Sequence, residues 1–110
     1  MTKFEIFTGK DDQYYFHLVA ANGEIIGSSE GYTQKHNAIN GINSVKEHCE
    51  DPNNFEILIG LNEKYYFHLK SANHQIIMQS QGYASKQGAE RGIESVMANA
   101  PAAEVIDTTA

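Results

Sequence analysis

Tyr14-Tyr15-Phe16-His17-Leu18 returns 51 positions later as Tyr65-Tyr66-Phe67-His68-Leu69, and the flanks return with it. Phe4-Glu5-Ile6 recurs as Phe55-Glu56-Ile57, Ile25-Ile26 as Ile76-Ile77, and Gly31-Tyr32 as Gly82-Tyr83. Set without a gap, residues 4–48 and 55–99 share 22 identities in 45 pairs. An internal duplication constrains the fold more than any other feature here, because one architecture must serve both copies. In a chain of 110 residues, two separate units of this size would each be marginally stable, so the copies are expected to share one core.

Each copy reads the same way. Phe4 to Thr8 alternates imperfectly and suits a short strand, and Gly9 to Asp12 is a polar turn. Gln13 to Ala20 is a second strand with Tyr14, Phe16 and Leu18 on the core side and Tyr15, His17 and Val19 on the other. Asn22-Gly23 predicts a two-residue hairpin turn, which sets Val19 opposite Ile26 and sends Ile26 and its mate Ile77 outward. Thr33 and Ser85 are candidate helix caps. Ala38, Ile42, Val45 and Cys49, repeated as Ala89, Ile93, Val96 and Ala100, form one stripe of an amphipathic helix. Gly41 and Gly92 beside that stripe predict a close approach of helix to sheet, because glycine is otherwise costly there. The reading is a single domain over 1–110, with repeat 1 at 3–50, repeat 2 at 54–101 and a disordered tail at 102–110.

Charge narrows the partners. The formal net charge is −6, and neither half carries a basic excess, which speaks against duplex nucleic acid and anionic membrane surfaces. Cys49 is the only cysteine, so no intrachain disulfide can form. No apolar segment of signal-peptide or membrane-spanning length occurs, and the expectation is a cytoplasmic protein, monomeric but built as a pseudo-dimer.

Tyr-Phe-His-Leu, then Ala-Asn-Gly, Ser-x-Gly-Tyr, Lys and Gly-Ile-x-Ser-Val stand here at Tyr15–Leu18, Ala21–Gly23, Ser29–Tyr32, Lys35 and Gly41–Val45. In this the sequence resembles the YegP-like family of small tandem-repeat proteins across about residues 3–101. His74 departs from the glycine of Ala-Asn-Gly in the second copy. The resemblance implies an α+β fold in which two tandem β-β-β-α repeats form one mainly antiparallel six-stranded sheet. Two helices would cover one face with pseudo-two-fold symmetry, and the C-terminal helices could be swapped between repeats. It brings no catalytic residues and no cofactor.

The residues themselves offer little chemistry. His17 and His68 occupy equivalent strand positions, but no repeated ligand stands beside them at metal spacing, so no metal is expected. Cys49 next to His48 is not a nucleophile–base pair, since adjacent helical residues point apart. Neither a Walker-type nor a dinucleotide-type glycine loop is present. Lys35 and Lys86 near the helix starts are read as solvated, with an anion site at a helix N-terminus as the alternative. The outward sheet face, by contrast, is rich in aromatic and apolar groups. Tyr15, His17, Ile26, Tyr66, His68, Lys70 and Ile77 are its candidate contact residues. The expectation is a non-catalytic module binding a protein partner or small flat ligand through this face. A small enzyme using His17 and His68 at the repeat junction, and a weak single-stranded RNA binder, are the alternatives.

Overall fold

The computed structural model describes residues 1–109. Strands β1 (Lys3–Thr8), β2 (Tyr14–Val19) and β3 (Ile25–Ser28) lead to helix α1 (Lys35–His48). Strands β4 (Phe55–Ile59), β5 (Tyr65–Lys70) and β6 (Ile76–Ser80) then lead to helix α2 (Lys86–Asn99), and β7 (Glu104–Asp107) closes the chain. The seven strands form one sheet in the order β4-β5-β6-β3-β2-β1-β7, antiparallel throughout except for the parallel pair β1–β7. The fold is α+β.

The tail was expected to be disordered over 102–110 and the sheet to have six strands; the structure corrects both over residues 102–109, residue 110 lying outside the described ones. Residues 104–107 pair with β1, Phe4 opposite Val105, and the backbone N–H and hydroxyl of Thr108 both donate to the Ile6 carbonyl, at 2.9 and 2.7 Å. Lys35 Nζ donates to Asp107 at 2.8 Å and Lys46 Nζ to the Ala103 carbonyl at 2.8 Å, so α1 holds the strand from above. A four-residue strand carries no periodicity long enough to be read from sequence, and its partners lie about a hundred positions away.

Four hairpin loops share one design. At each, an Asp or Asn side chain accepts from the backbone N–H two residues on: Asp11 from Gln13, Asn22 from Glu24, Asn62 from Lys64 and Asn73 from Gln75. The residue after it takes positive φ: Asp12 62°, Gly23 88°, Glu63 64° and His74 65°. These are three-residue loops with one left-handed position, not the two-residue turn expected at Asn22-Gly23.

The longer loop moves the register. Leu18 pairs with Gly27, but Val19 pairs with Ile25, leaving Ile26 as the extra residue of a bulge. The second copy repeats it, with Leu69 opposite Met78, Lys70 opposite Ile76, and Ile77 extra. Ile26 and Ile77, expected to face outward, therefore pack with the core, while Ile25 and Ile76 remain 36% and 39% exposed. A bulge re-aims the side chains beyond it, and one residue of slip is enough to exchange faces.

Both helix stripes are inside. Ala38, Ile42, Val45, Cys49, Ala89, Val96 and Ala100 are buried, and Ile93 packs against the same cluster as Phe4, Ile6, Phe16, Leu18, Phe67, Leu69 and Met78. Tyr14 and Tyr65, expected in the core, are only partly buried. A Cβ on Gly41 would meet the Tyr32 hydroxyl at 2.7 Å and the Phe16 ring at 3.0 Å, and one on Gly92 would meet Tyr83 and the Phe67 ring. Gly41 thus lets α1 settle on Tyr32 and Phe16 of the first copy and Gly92 lets α2 settle on Tyr83 and Phe67 of the second, while α1 also packs over β5 and β6. Ser85 caps α2 by accepting from Gly88 N–H at 3.0 Å. Gln34, not Thr33, occupies the N-cap of α1 and makes no side-chain bond there.

Candidate functional site on the helix-free sheet face

Both helices cover one face of the sheet, so the other face carries the residues that alternate away from Phe16 and Phe67. Chaining the registers across the strands aligns Ile106, Glu5, His17, Ser28, Gln79, His68 and Glu56 in one row. Either side of the β3–β6 junction, the row reads polar residue, histidine, glutamate. Phe7 opposite Tyr15 and Leu58 opposite Tyr66 form a neighbouring rung. Val19 opposite Ile25 and Lys70 opposite Ile76 form another on the far side.

The first half of the row is the more aromatic. Phe7 stacks on Tyr15 with centroids 5.6 Å apart and lies 4.2 Å from the His17 ring. The Tyr15 hydroxyl donates to Asp11 at 2.5 Å, which raises the phenol pKa and lowers that of the carboxyl. Burial lowers the His17 pKa, and the charge of Glu5 opposes it in part. In the second half Leu58 replaces Phe7, and Tyr66 accepts from Asn62 Nδ2 at 2.9 Å. Lys70 lies 2.9 Å from Glu56 and, by hydrogen bond and then charge, lowers its carboxyl pKa; Lys3 pairs with Glu5 at 3.3 Å.

Tyr15, His17, Tyr66, His68 and Lys70 of the expected set share this face; Ile26 and Ile77 do not, and Ile25 and Ile76 take their places. His17 and His68 sit three strand spacings apart, about 14 Å at the usual interval, too far to act on one bond. Cys49 is buried, and burial raises its thiol pKa, so it stays an inert packing group. His48 Nδ1 lies 2.8 Å from the Ser44 carbonyl, within its own helix. Lys35 is the latch of β7, a role that sequence reading missed because Asp107 was assigned to a disordered tail. Among the described residues no cluster of three or more His, Cys, Asp or Glu could hold a metal ion. Among the same residues no helix is long and apolar enough to cross a membrane.

The repeated Ser-x-Gly-Tyr has a structural account. Ser29 Oγ accepts from Phe16 N–H at 2.9 Å and donates to the Glu30 carbonyl at 2.8 Å; Ser80 does the same for Phe67 and Gln81, both at 2.8 Å. Tyr32 bonds through its backbone to Tyr14, and its ring covers Gly41. These identities preserve packing rather than chemistry.

Comparison with known proteins places this architecture. A family profile described as a domain of unknown function, DUF1508, matches twice, over residues 10–56 and 62–107. A UPF0339 protein of Acinetobacter baylyi is 51% identical over 96% of both chains, and UPF0339 protein YegP of Escherichia coli is 46% identical over 96% of both. The solution NMR structure of E. coli YegP superposes with a TM-score of 0.92 at 45% identity, covering 98% of this chain and 93% of that one. That of SO3888 from Shewanella oneidensis gives 0.92 at 42%, covering 98% and 92%. With both halves matched and relatives aligned along nearly their whole length, the chain belongs to the DUF1508 family, whose UPF0339 members include YegP.

Proposed function

We propose that this protein is a non-catalytic binding module, cytoplasmic and monomeric, that engages a protein partner through the helix-free face of its sheet. The two copies act as a pseudo-dimer about a two-fold axis between β3 and β6, presenting one histidine–glutamate–tyrosine unit from each. The observation that carries the reading is the row from Glu5 through His17, Ser28, Gln79 and His68 to Glu56, flanked by Tyr15, Tyr66, Ile25 and Ile76. Aromatic anchors with a mixed polar surround suit a protein interface. Two considerations weigh against the alternatives. The histidines stand too far apart for shared acid–base work, and each half offers a glutamate where an RNA phosphate would need a cation.

Photo-crosslinking from a benzophenone side chain at Gln79, in cells, tests the reading, with the same label at the exposed Glu47 on α1 as control. Protein adducts should form from Gln79 and disappear in the Tyr15→Ala/Tyr66→Ala variant whose circular dichroism is unchanged. Equal adducts with and without the tyrosines would sink it.

A further inference from the structure

Phe4 and Ile6 of β1 are fully buried, yet their mates Phe55 and Ile57 of β4, identical in sequence, are only partly so. The difference is β7. It lies along the outer edge of β1 beneath α1, whereas β4 ends the sheet and, among the described residues, has no strand along its outer edge. A groove of about 400 Å³ remains between β4 and α2, lined by Pro52, Phe55, Ile57, Glu90, Ile93 and Met97, with Glu94 on its rim. Subtracting 51 from Phe55, Ile57, Glu90, Ile93, Glu94 and Met97 gives Phe4, Ile6, Ile39, Ile42, Asn43 and Lys46, the matching positions of β1 and α1.

The backbone of β4 is set for the same use. Phe16 directs its N–H inward to Ser29, so its pair with Ile6 is not hydrogen-bonded and Ile6 faces the edge, where its carbonyl accepts from Thr108. Phe67 likewise bonds Ser80, and Tyr65 exchanges both backbone bonds with Tyr83, so their partners Ile57 and Ile59 turn their polar groups to the open edge. The strand Phe-Glu-Ile-Leu-Ile has one charge and no proline, and Ile59 is 66% exposed. Such an edge is a template for strand addition.

We propose that β4 and the groove beneath α2 bind an extended basic segment of a partner protein, added parallel to β4 as β7 is added to β1. Charge selects the occupant. Where α1 carries Ile39, Asn43 and Lys46, α2 carries Glu90, Glu94 and Met97 along the groove, and it keeps one cation, Lys86, the mate of the Lys35 that meets Asp107. The peptide therefore carries Lys or Arg whose stems lie on Phe55, Ile57 and Met97 and whose charges meet the two glutamates. The chain's own tail is the wrong sign, and moving it from β1 to a neighbour's β4 merely exchanges one edge for another while losing the Lys35 and Lys46 contacts. A second β4 across a two-fold axis would bring four glutamates together. This site is separate from the helix-free face and does not depend on that face having a partner.

The probe is the nonapeptide Thr-Val-Thr-Lys-Thr-Lys-Thr-Val-Thr, titrated into the full chain by amide NMR, with its Glu-for-Lys counterpart. Saturable shifts should centre on Phe55 to Ile59 and on Ile93 and Met97, with binding about tenfold weaker for the Glu peptide and for Glu90→Lys/Glu94→Lys. Ile59→Pro, which removes an edge-facing N–H at an exposed position, should lose binding with the other amide shifts preserved. Tyr15→Ala/Tyr66→Ala should bind the peptide as the parent does. Absence of shifts at β4, equal binding of both peptides, or undiminished binding by Ile59→Pro would overturn the proposal. So would the same β4 shifts on concentrating the chain alone, which would assign the edge to a second copy.

Discussion

Gly41 and Gly92 show how a residue that costs helix stability can repay it in packing. Neither helix could sit at its present distance with a Cβ there, since the added carbon would meet tyrosine and phenylalanine rings that are themselves held in the core. Gly41→Ala and Gly92→Ala are each expected to lower stability by about 1–3 kcal/mol in urea denaturation, although alanine is the better helix former. A gain in stability from either would show that the rings move aside freely. His17 makes a prediction of the opposite kind, through charge. Its folded pKa lies below the ordinary value of 6.5, so the unfolded chain takes up the proton first. Its contribution is therefore fully present above about pH 6.5 and declines as pH falls through that value toward the folded pKa. His17→Gln should flatten the fall of stability between neutral and mildly acidic pH. Because Glu5 props the His17 pKa up, Glu5→Gln should lower it further in an NMR titration; a rise would contradict the cross-strand pairing.

Among the elements, β7 decides most for its length. Its anchors are the β1 ladder, the two Thr108 bonds to Ile6, and the lysines of α1. The hydrogen bond and charge of Lys35, with bonds from Thr109, hold the Asp107 carboxyl well below the usual carboxylate range. That contribution is present above the ordinary pKa of 3.8 and is lost as pH falls below it. Lys35→Met is accordingly expected to raise amide exchange at Val105 to Thr108 at neutral pH while exchange in β2 and β5 stays unchanged. Equal protection in variant and parent would mean that the ladder alone holds the strand. The same element explains why Phe4 and Phe55, identical residues in identical local sequence, end with different burial.

At the scale of the molecule, the join between copies is narrow in backbone and broad in side chains. β3 and β6 pair at only Gly27–Ser80 and Ser28–Gln79, yet Met78, 1% exposed, presses so closely on Gly27 that a Cβ there would lie 2.8 Å from its Sδ. One cluster contains Phe16 and Leu18 from the first copy and Phe67, Leu69 and Met78 from the second. Met78→Ala is expected to cost about 2–5 kcal/mol and to shift unfolding of both halves together. Separate transitions for tryptophan reporters placed at Tyr32 and at Tyr83 would show the halves to be independent.

The sequence alone determined the unit and its repetition. Strand and helix periods are local, so Phe16 and Leu18, the stripe Ala38-Ile42-Val45-Cys49 and the two helix glycines declare their environment within a few residues. The duplication then doubled each signal. Most of the candidate face was legible for the same reason: Tyr15, His17, Tyr66, His68 and Lys70 lie on β2 and β5, where alternation holds. Ile26 and Ile77, across the bulge on β3 and β6, were not. Whether Ile25 or Ile26 faces outward depends on a loop one residue longer, in which Asn22 Oδ1 accepts from Glu24 N–H, and alternation turns that single residue into a change of face. The fate of the tail, the order of the strands and the open edge of β4 were decided only by tertiary structure. Each rests on contacts between residues far apart in the chain, Asp107 with Lys35 and Thr108 with Ile6, whose free energy exists only once the sheet has formed.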